Sequence, residues 1–177
     1  VIGAPGRDGD YQDTGAVWMY EQVTTDGNAV SWEQRATFEG LSYHNFGSFG
    51  TSVALFGTTA VVSAPGGLDS MQRVVIYEAN ESGAWRETGA LQGSTVFGST
   101  VAGFGRSIAV GQDHVLVGTP QRDTVAIFGR DANKNWQLET TLTDPDETAR
   151  AFGAALAIDD DRIIVGAPGY GHDVWKG

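Results

Sequence analysis

Phe49-Gly50-Thr51-Ser52-Val53-Ala54, followed by Val61-Val62-Ser63-Ala64-Pro65, is the stretch on which the fold turns, because it recurs. Its second copy is Phe104-Gly105-Arg106-Ser107-Ile108-Ala109 with Leu116-Val117-Gly118-Thr119-Pro120. Its third is Phe152-Gly153-Ala154-Ala155-Leu156-Ala157 with Ile164-Val165-Gly166-Ala167-Pro168. Val1-Ile2-Gly3-Ala4-Pro5 repeats the second half alone. From Phe to Pro is 16 residues in all three full copies. An aromatic stretch recurs after each Pro: Ala16-Val17-Trp18-Met19-Tyr20, Val74-Val75-Ile76-Tyr77 and Val125-Ala126-Ile127-Phe128. A Trp follows each, at Trp32, Trp85 and Trp136, and a large apolar residue lies 6 positions on, at Phe38, Leu91 and Leu142. An internal repeat of this length marks an array of like supersecondary units.

Each unit reads as four strands. The Phe-Gly strand is rich in small residues. A short turn leads to the Val-Val run, which is apolar at successive positions and so is expected to be buried on both faces. Its Pro stands at the strand end, where the missing N–H costs least. The aromatic strand comes third and the Trp strand last, as the edge. The even spacing from Trp to the next apolar residue predicts that both face the same way. Four antiparallel strands cannot cover their own two faces. Radial stacking solves this, and predicts an all-β fold of β-propeller blades, about three and a half of them, a partial propeller. The repeats fall at about 1–45, 46–100, 101–148 and, in part, 149–177. Opening on Val1 in mid-repeat, the chain reads as part of a longer one. The missing blades are expected from the parent chain or from neighbouring chains, since open sheet edges leave backbone groups unpaired.

Composition agrees. The 177 residues include 25 Gly, 41% are apolar and 19% charged, with no helical periodicity. A formal net charge of -11 argues against nucleic acid and against an anionic membrane surface. No run of 18 apolar residues suggests membrane insertion, and the absence of Cys excludes disulfides and thiolate chemistry.

The paired Phe-Gly and Gly-Ala-Pro signatures resemble the FG-GAP repeat over the whole chain. That family includes the head of integrin α subunits and many secreted or surface proteins. The resemblance implies a propeller that binds proteins or glycans, hence extracellular or cell-surface adhesion without catalysis. Integrin-type repeats carry Ca²⁺ loops between strands one and two. Here those turns are too short, so the chain resembles a calcium-poor form.

Asp8, Asp10 and Asp13 alternate with Gly in the longest loop between strands two and three, and are the candidate Ca²⁺ ligands; Asp and Gly are equally the common turn residues. Asn80-Glu81-Ser82 is a glycosylation sequon in the turn before strand four, making Asn80 the candidate glycan acceptor. Ser52 and Ser107 stand in Gly-x-Ser stretches, but the position becomes Ala155 in the third copy, which marks a scaffold position. His44, His114 and His172 lie in turns, apart from one another. Trp32, Trp85 and Trp136 are expected to pack between blades, and Trp18, where the other copies have smaller residues, to be a core residue. The reading that follows is a non-catalytic extracellular recognition or structural module, carried by loops that vary on a constant scaffold. The alternative is the propeller part of a secreted polysaccharide-acting enzyme.

Overall fold

The computed structural model describes residues 1–8, 12–24, 30–40, 47–66, 72–99, 101–145 and 150–169. These residues form an all-β chain of four antiparallel sheets, none of them closed. The first sheet holds β1 (Ile2–Ala4), β2 (Ala16–Thr24) and β3 (Val30–Glu39). The second runs β4 (Val53–Phe56), β5 (Thr59–Ala64), β6 (Arg73–Ala79), β7 (Trp85–Gln92). The third runs β8 (Ser107–Val110), β9 (His114–Thr119), β10 (Thr124–Arg130), β11 (Trp136–Thr143). The fourth pairs β12 (Ala155–Asp159) with β13 (Arg162–Gly166). In every sheet the spatial order is the chain order, as short connections demand.

The constant 16-residue spacing has a physical cause. The Gly of each Phe-Gly donates its N–H to the carbonyl two residues before the Pro: Gly50 to Ser63 at 2.8 Å, Gly105 to Gly118 at 3.1 Å, Gly153 to Gly166 at 3.1 Å. Phe-Gly and Pro motifs are thus the two ends of one hairpin. These glycines have φ of +91°, +83° and +88°, the left-handed region that a Cβ disfavours. A Cβ would also meet the sheet before: Val17 Cγ2 at 2.9 Å from Gly50, Val74 Cγ2 at 2.8 Å from Gly105, Val125 Cγ2 at 2.9 Å from Gly153. The same repeat position, a Val, receives the glycine each time.

The core lies between sheets, in three clusters that follow the repeat. Val17, Met19, Phe38 and Phe49 pack with Val75 and Tyr77 between the first two sheets. Val61, Val74, Ile76 and Leu91 pack with Phe104, Val115, Ala126 and Phe128 between the next two. Leu116, Val125 and Ile127 meet Phe152, Leu156, Ile158, Ile163 and Val165 of the fourth. Every residue of β5 is buried, as a strand covered on both faces must be. Burying side chains such as Phe104 and Phe128, each nearly inaccessible, contributes about 2–3 kcal/mol apiece. Neighbouring sheets meet through their first two strands, β4 and β5 against β8, then β8 and β9 against β12.

Three departures from the sequence reading have clear causes. Trp and the apolar residue six positions on face opposite ways: Trp85 packs toward the first sheet and Leu91 toward the third. A β-bulge intervenes in each of the first three sheets, between Met19/Tyr20, Ile76/Tyr77 and Ile127/Phe128 of the partner strand. The extra residue, Arg35, Thr88 or Glu139, reverses the alternation beyond it. The second departure is α1 (Gly93–Phe97), a short helix after β7 that ends on Gly98 at φ +69°. The third is a single 3₁₀ turn, Pro120–Arg122, which begins on the Pro where φ is already suitable. Neither has the length to show a 3.6-residue period.

Candidate functional site

Asp131 opens the turn that delivers Trp136. Its Oδ1 accepts the backbone N–H groups of Asn133 and Asn135, both at 2.8 Å, and its Oδ2 accepts Gln137 Nε2 at 2.8 Å. The bond from the Asn135 backbone, above all, holds the Asp131 carboxyl below the usual carboxylate range. The Asp131 N–H donates to the Asn135 carbonyl at 2.9 Å, and Lys134 takes φ +65° to close the turn. Asn80 builds the same turn in the second sheet. Its Oδ1 accepts Ser82 N–H at 3.0 Å, Ala84 N–H at 2.9 Å and the Ser82 hydroxyl at 2.7 Å, and Gly83 takes φ +78°. The sequon residue Asn80 is therefore exposed at a hairpin tip, with its side-chain oxygen committed to the turn.

Trp136 enters β11 at the edge of the third sheet and leans back on the second. The Arg130 guanidinium lies over its ring, 4.4 Å from the centroid. Arg130 in turn pairs with Glu78 Oε1 of the second sheet and donates to Thr59 Oγ1 at 3.3 Å. Both ionic side chains are largely sheltered, which weakens screening of the pair. The repeat puts Gln22 and Ala79 at the Arg130 position, so among the described residues the tie belongs to this pair of sheets. No repeat motif marked Arg130 or Glu78; the signal available was the departure of Arg130 from Gln22 and Ala79, whereas Glu78 repeats Glu21 of the first copy.

A cleft follows between the edge strands β7 and β11. One lobe, about 200 Å³, lies among Ile76, Glu78, Thr88, Asn135 and Trp136. The other, about 390 Å³, lies among Gln92, Thr95, Phe128, Gln137 and Leu138, again with Trp136. Trp136 divides the two. The walls offer an apolar floor with amide and hydroxyl groups at the rim, and the smaller lobe adds Glu78 and Lys134.

The other sequence candidates fall elsewhere. Asp8 Oδ1 accepts the Asp13 N–H at 2.9 Å, and Asp13 adopts φ +52°, so these two residues close their own loop. Asp10, His44 and His172 lie outside the described residues. Among the described residues no three His, Asp or Glu side chains gather as a metal site. Ser107 is buried, its hydroxyl donating to the Gly153 carbonyl across two sheets, and Ser52 N–H donates to Ser63 Oγ at 2.9 Å. His114 Nε2 lies 3.3 Å from Glu139, the bulged residue of the third sheet. Trp85 packs between sheets, edge-on to Phe38 at 6.3 Å, whereas Trp32 is 66% exposed. Trp18 is half-buried with the Arg7 guanidinium 5.5 Å above it, and Arg7 pairs with Glu39 at 2.9 Å. Among the described residues no helix is long and apolar enough to cross a membrane. No family model matches the chain, and no curated protein matches it.

Proposed function

We propose that the chain is a calcium-poor, FG-GAP-like propeller segment that serves as a non-catalytic recognition or structural module outside the cell or at its surface. The observation that carries this is the repeated contact between motifs. The Gly of one Phe-Gly lies against the preceding sheet's Val at the same repeat position three times over, Gly50 on Val17, Gly105 on Val74, Gly153 on Val125. Sheets related by one repeated contact, close at their first strands and parted at their Trp strands by a cleft, suit blades arranged about an axis.

A rigid stack of this kind is a scaffold for recognition. The Trp136 cleft is the recognition surface within it. An indole floor with Gln92, Asn135 and Gln137 at the rim suits a glycan, whose C–H faces stack on aromatics while its hydroxyls take amide hydrogen bonds. An exposed Asn80 sequon fits a secreted, glycosylated chain.

The test is a glycan array probed with the chain, followed by titration of hits against Gln92→Ala and Gln137→Ala. Both substitutions are at exposed positions, so the fold is retained. The reading expects binding that weakens about tenfold or more in these variants. Absence of any glycan ligand, or binding indifferent to both substitutions, overturns the cleft as the recognition surface.

A further inference from the structure

The larger lobe of the cleft has no charged side chain among its described lining residues, and its side-chain hydrogen-bonding groups include Gln92, Thr95 and Gln137. Neighbours fix which end of each glutamine amide stays available. A carboxylate only accepts, so Gln137 gives its Nε2 to Asp131 Oδ2, at 2.8 Å, and keeps its Oε1 for a ligand. Gln92 is set the opposite way. Its Oε1 accepts the Ser94 hydroxyl at 3.3 Å, which leaves its Nε2 to donate. One rim amide of the lobe therefore offers an acceptor and the other a donor. The second sheet has Asn80 in the place of Asp131 and Arg86 in the place of Gln137, so this setting is not a feature of the repeat.

A donor and an acceptor beside an apolar floor match a secondary amide. Its N–H only donates and its carbonyl only accepts, whereas a hydroxyl does either. We infer that the larger lobe selects N-acetylated amino sugars. Gln137 Oε1 takes the acetamido N–H, Gln92 Nε2 takes its carbonyl, and Trp136 with Leu138 takes its methyl group. Asp131 is a positioning residue, because it decides which atom Gln137 offers. The inference rests on the Trp136 cleft being a glycan-recognition surface, and it adds which glycans that surface prefers.

Isothermal titration with tri-N-acetylchitotriose and with cellotriose tests it. The two share a β-1,4 backbone and differ in carrying acetamido or hydroxyl groups at C2. The wild type is expected to bind chitotriose about tenfold tighter or more, as two placed hydrogen bonds give. In Asp131→Asn the turn is kept, as Asn80 keeps its own. An NH2 group then stands where Oδ2 stood, the Gln137 amide turns over, and the preference is expected to fall toward equal affinity. Gln92→Glu, which leaves only acceptors at its place, is expected to do the same. A thermal melt checks that both variants fold. A role confined to the fold would weaken both sugars together and leave their ratio unchanged.

A wild type that binds the two sugars equally overturns the inference and leaves the cleft reading standing. So does binding of cellotriose or another glycan with none of chitotriose. A preference that survives either substitution overturns it as well. Binding of N-acetyl-trialanine amide in place of both sugars assigns the lobe to a peptide and overturns it. Binding of no glycan at all overturns the cleft reading and this inference together.

Discussion

Gly105 donates its backbone N–H to the carbonyl of Gly118 at 3.1 Å, while its Cα faces Val74 of the sheet before. One residue thereby sets the register of its own hairpin and the approach of two sheets. Gly105→Ala is expected to cost about 2–4 kcal/mol, from left-handed strain together with overpacking against Val74 and Ser63. Gly57→Ala, also at positive φ but with open space around its Cβ, is expected to cost about 1 kcal/mol. Urea denaturation of both variants checks the contrast; equal costs would mean that strain alone matters.

Removal of one partner of the sheltered Arg130–Glu78 pair leaves the other desolvated and unpaired. Glu78→Ala is expected to cost about 2–3 kcal/mol, and Arg130→Met a similar amount. The double variant Glu78→Leu with Arg130→Met is expected to recover most of that loss. A double-mutant cycle read by chemical denaturation gives the coupling; additive costs would refute a direct tie between the sheets.

Asp131 anchors its turn as a carboxylate, and hydrogen bonds hold its pKa down. A depressed folded value means that its contribution is present above the unfolded carboxyl pKa and fades as pH falls through the folded value. Asp131→Ala is expected to lower the melting temperature at pH 7. Asp131→Asn is expected to leave it near the wild type, because Asn80 holds the equivalent turn. Below the ordinary carboxylate range the wild type and the Ala variant are expected to converge, which melts from pH 7 down to pH 2 would show.

Tyr77 stacks on Phe38, with centroids 4.0 Å apart and planes 14° from parallel. Burial first, and the Glu87 charge second, push its hydroxyl up to about 12. The folded value lies above the unfolded one, so the contribution is complete below about pH 10 and is lost as pH climbs toward 12. Stability is expected to fall by on the order of 1–2 kcal/mol across that range. Tyr77→Phe is expected to remove this alkaline loss; an unchanged alkaline profile would place the titration elsewhere.

Much of the fold was open to reading from residue order because it depends on local rules repeated three times. Phe-Gly, the two-sided Val-Val run, the Pro at its end and the aromatic strand each answer to a backbone or burial constraint within one hairpin or one sheet. The bulge was hidden, since one extra residue leaves no mark in composition or spacing yet inverts which face Leu91 and Phe38 occupy. The cleft was hidden as well. Glu78, Arg130 and Trp136 are separated in the chain and converge only because two sheets pack at their first strands and part at their last.

The chain's own chemistry therefore settled the strand order, the hairpin register and the apolar faces, all of which act over a few residues. Packing between sheets settled everything that depends on distance across the repeat: that Phe-Gly is an inter-sheet contact, that Arg130 reaches Glu78, and that Trp85 and Trp136 are partly buried while Trp32 is bare. The reason is that a face is apolar by its own residues, but is buried only by a neighbour.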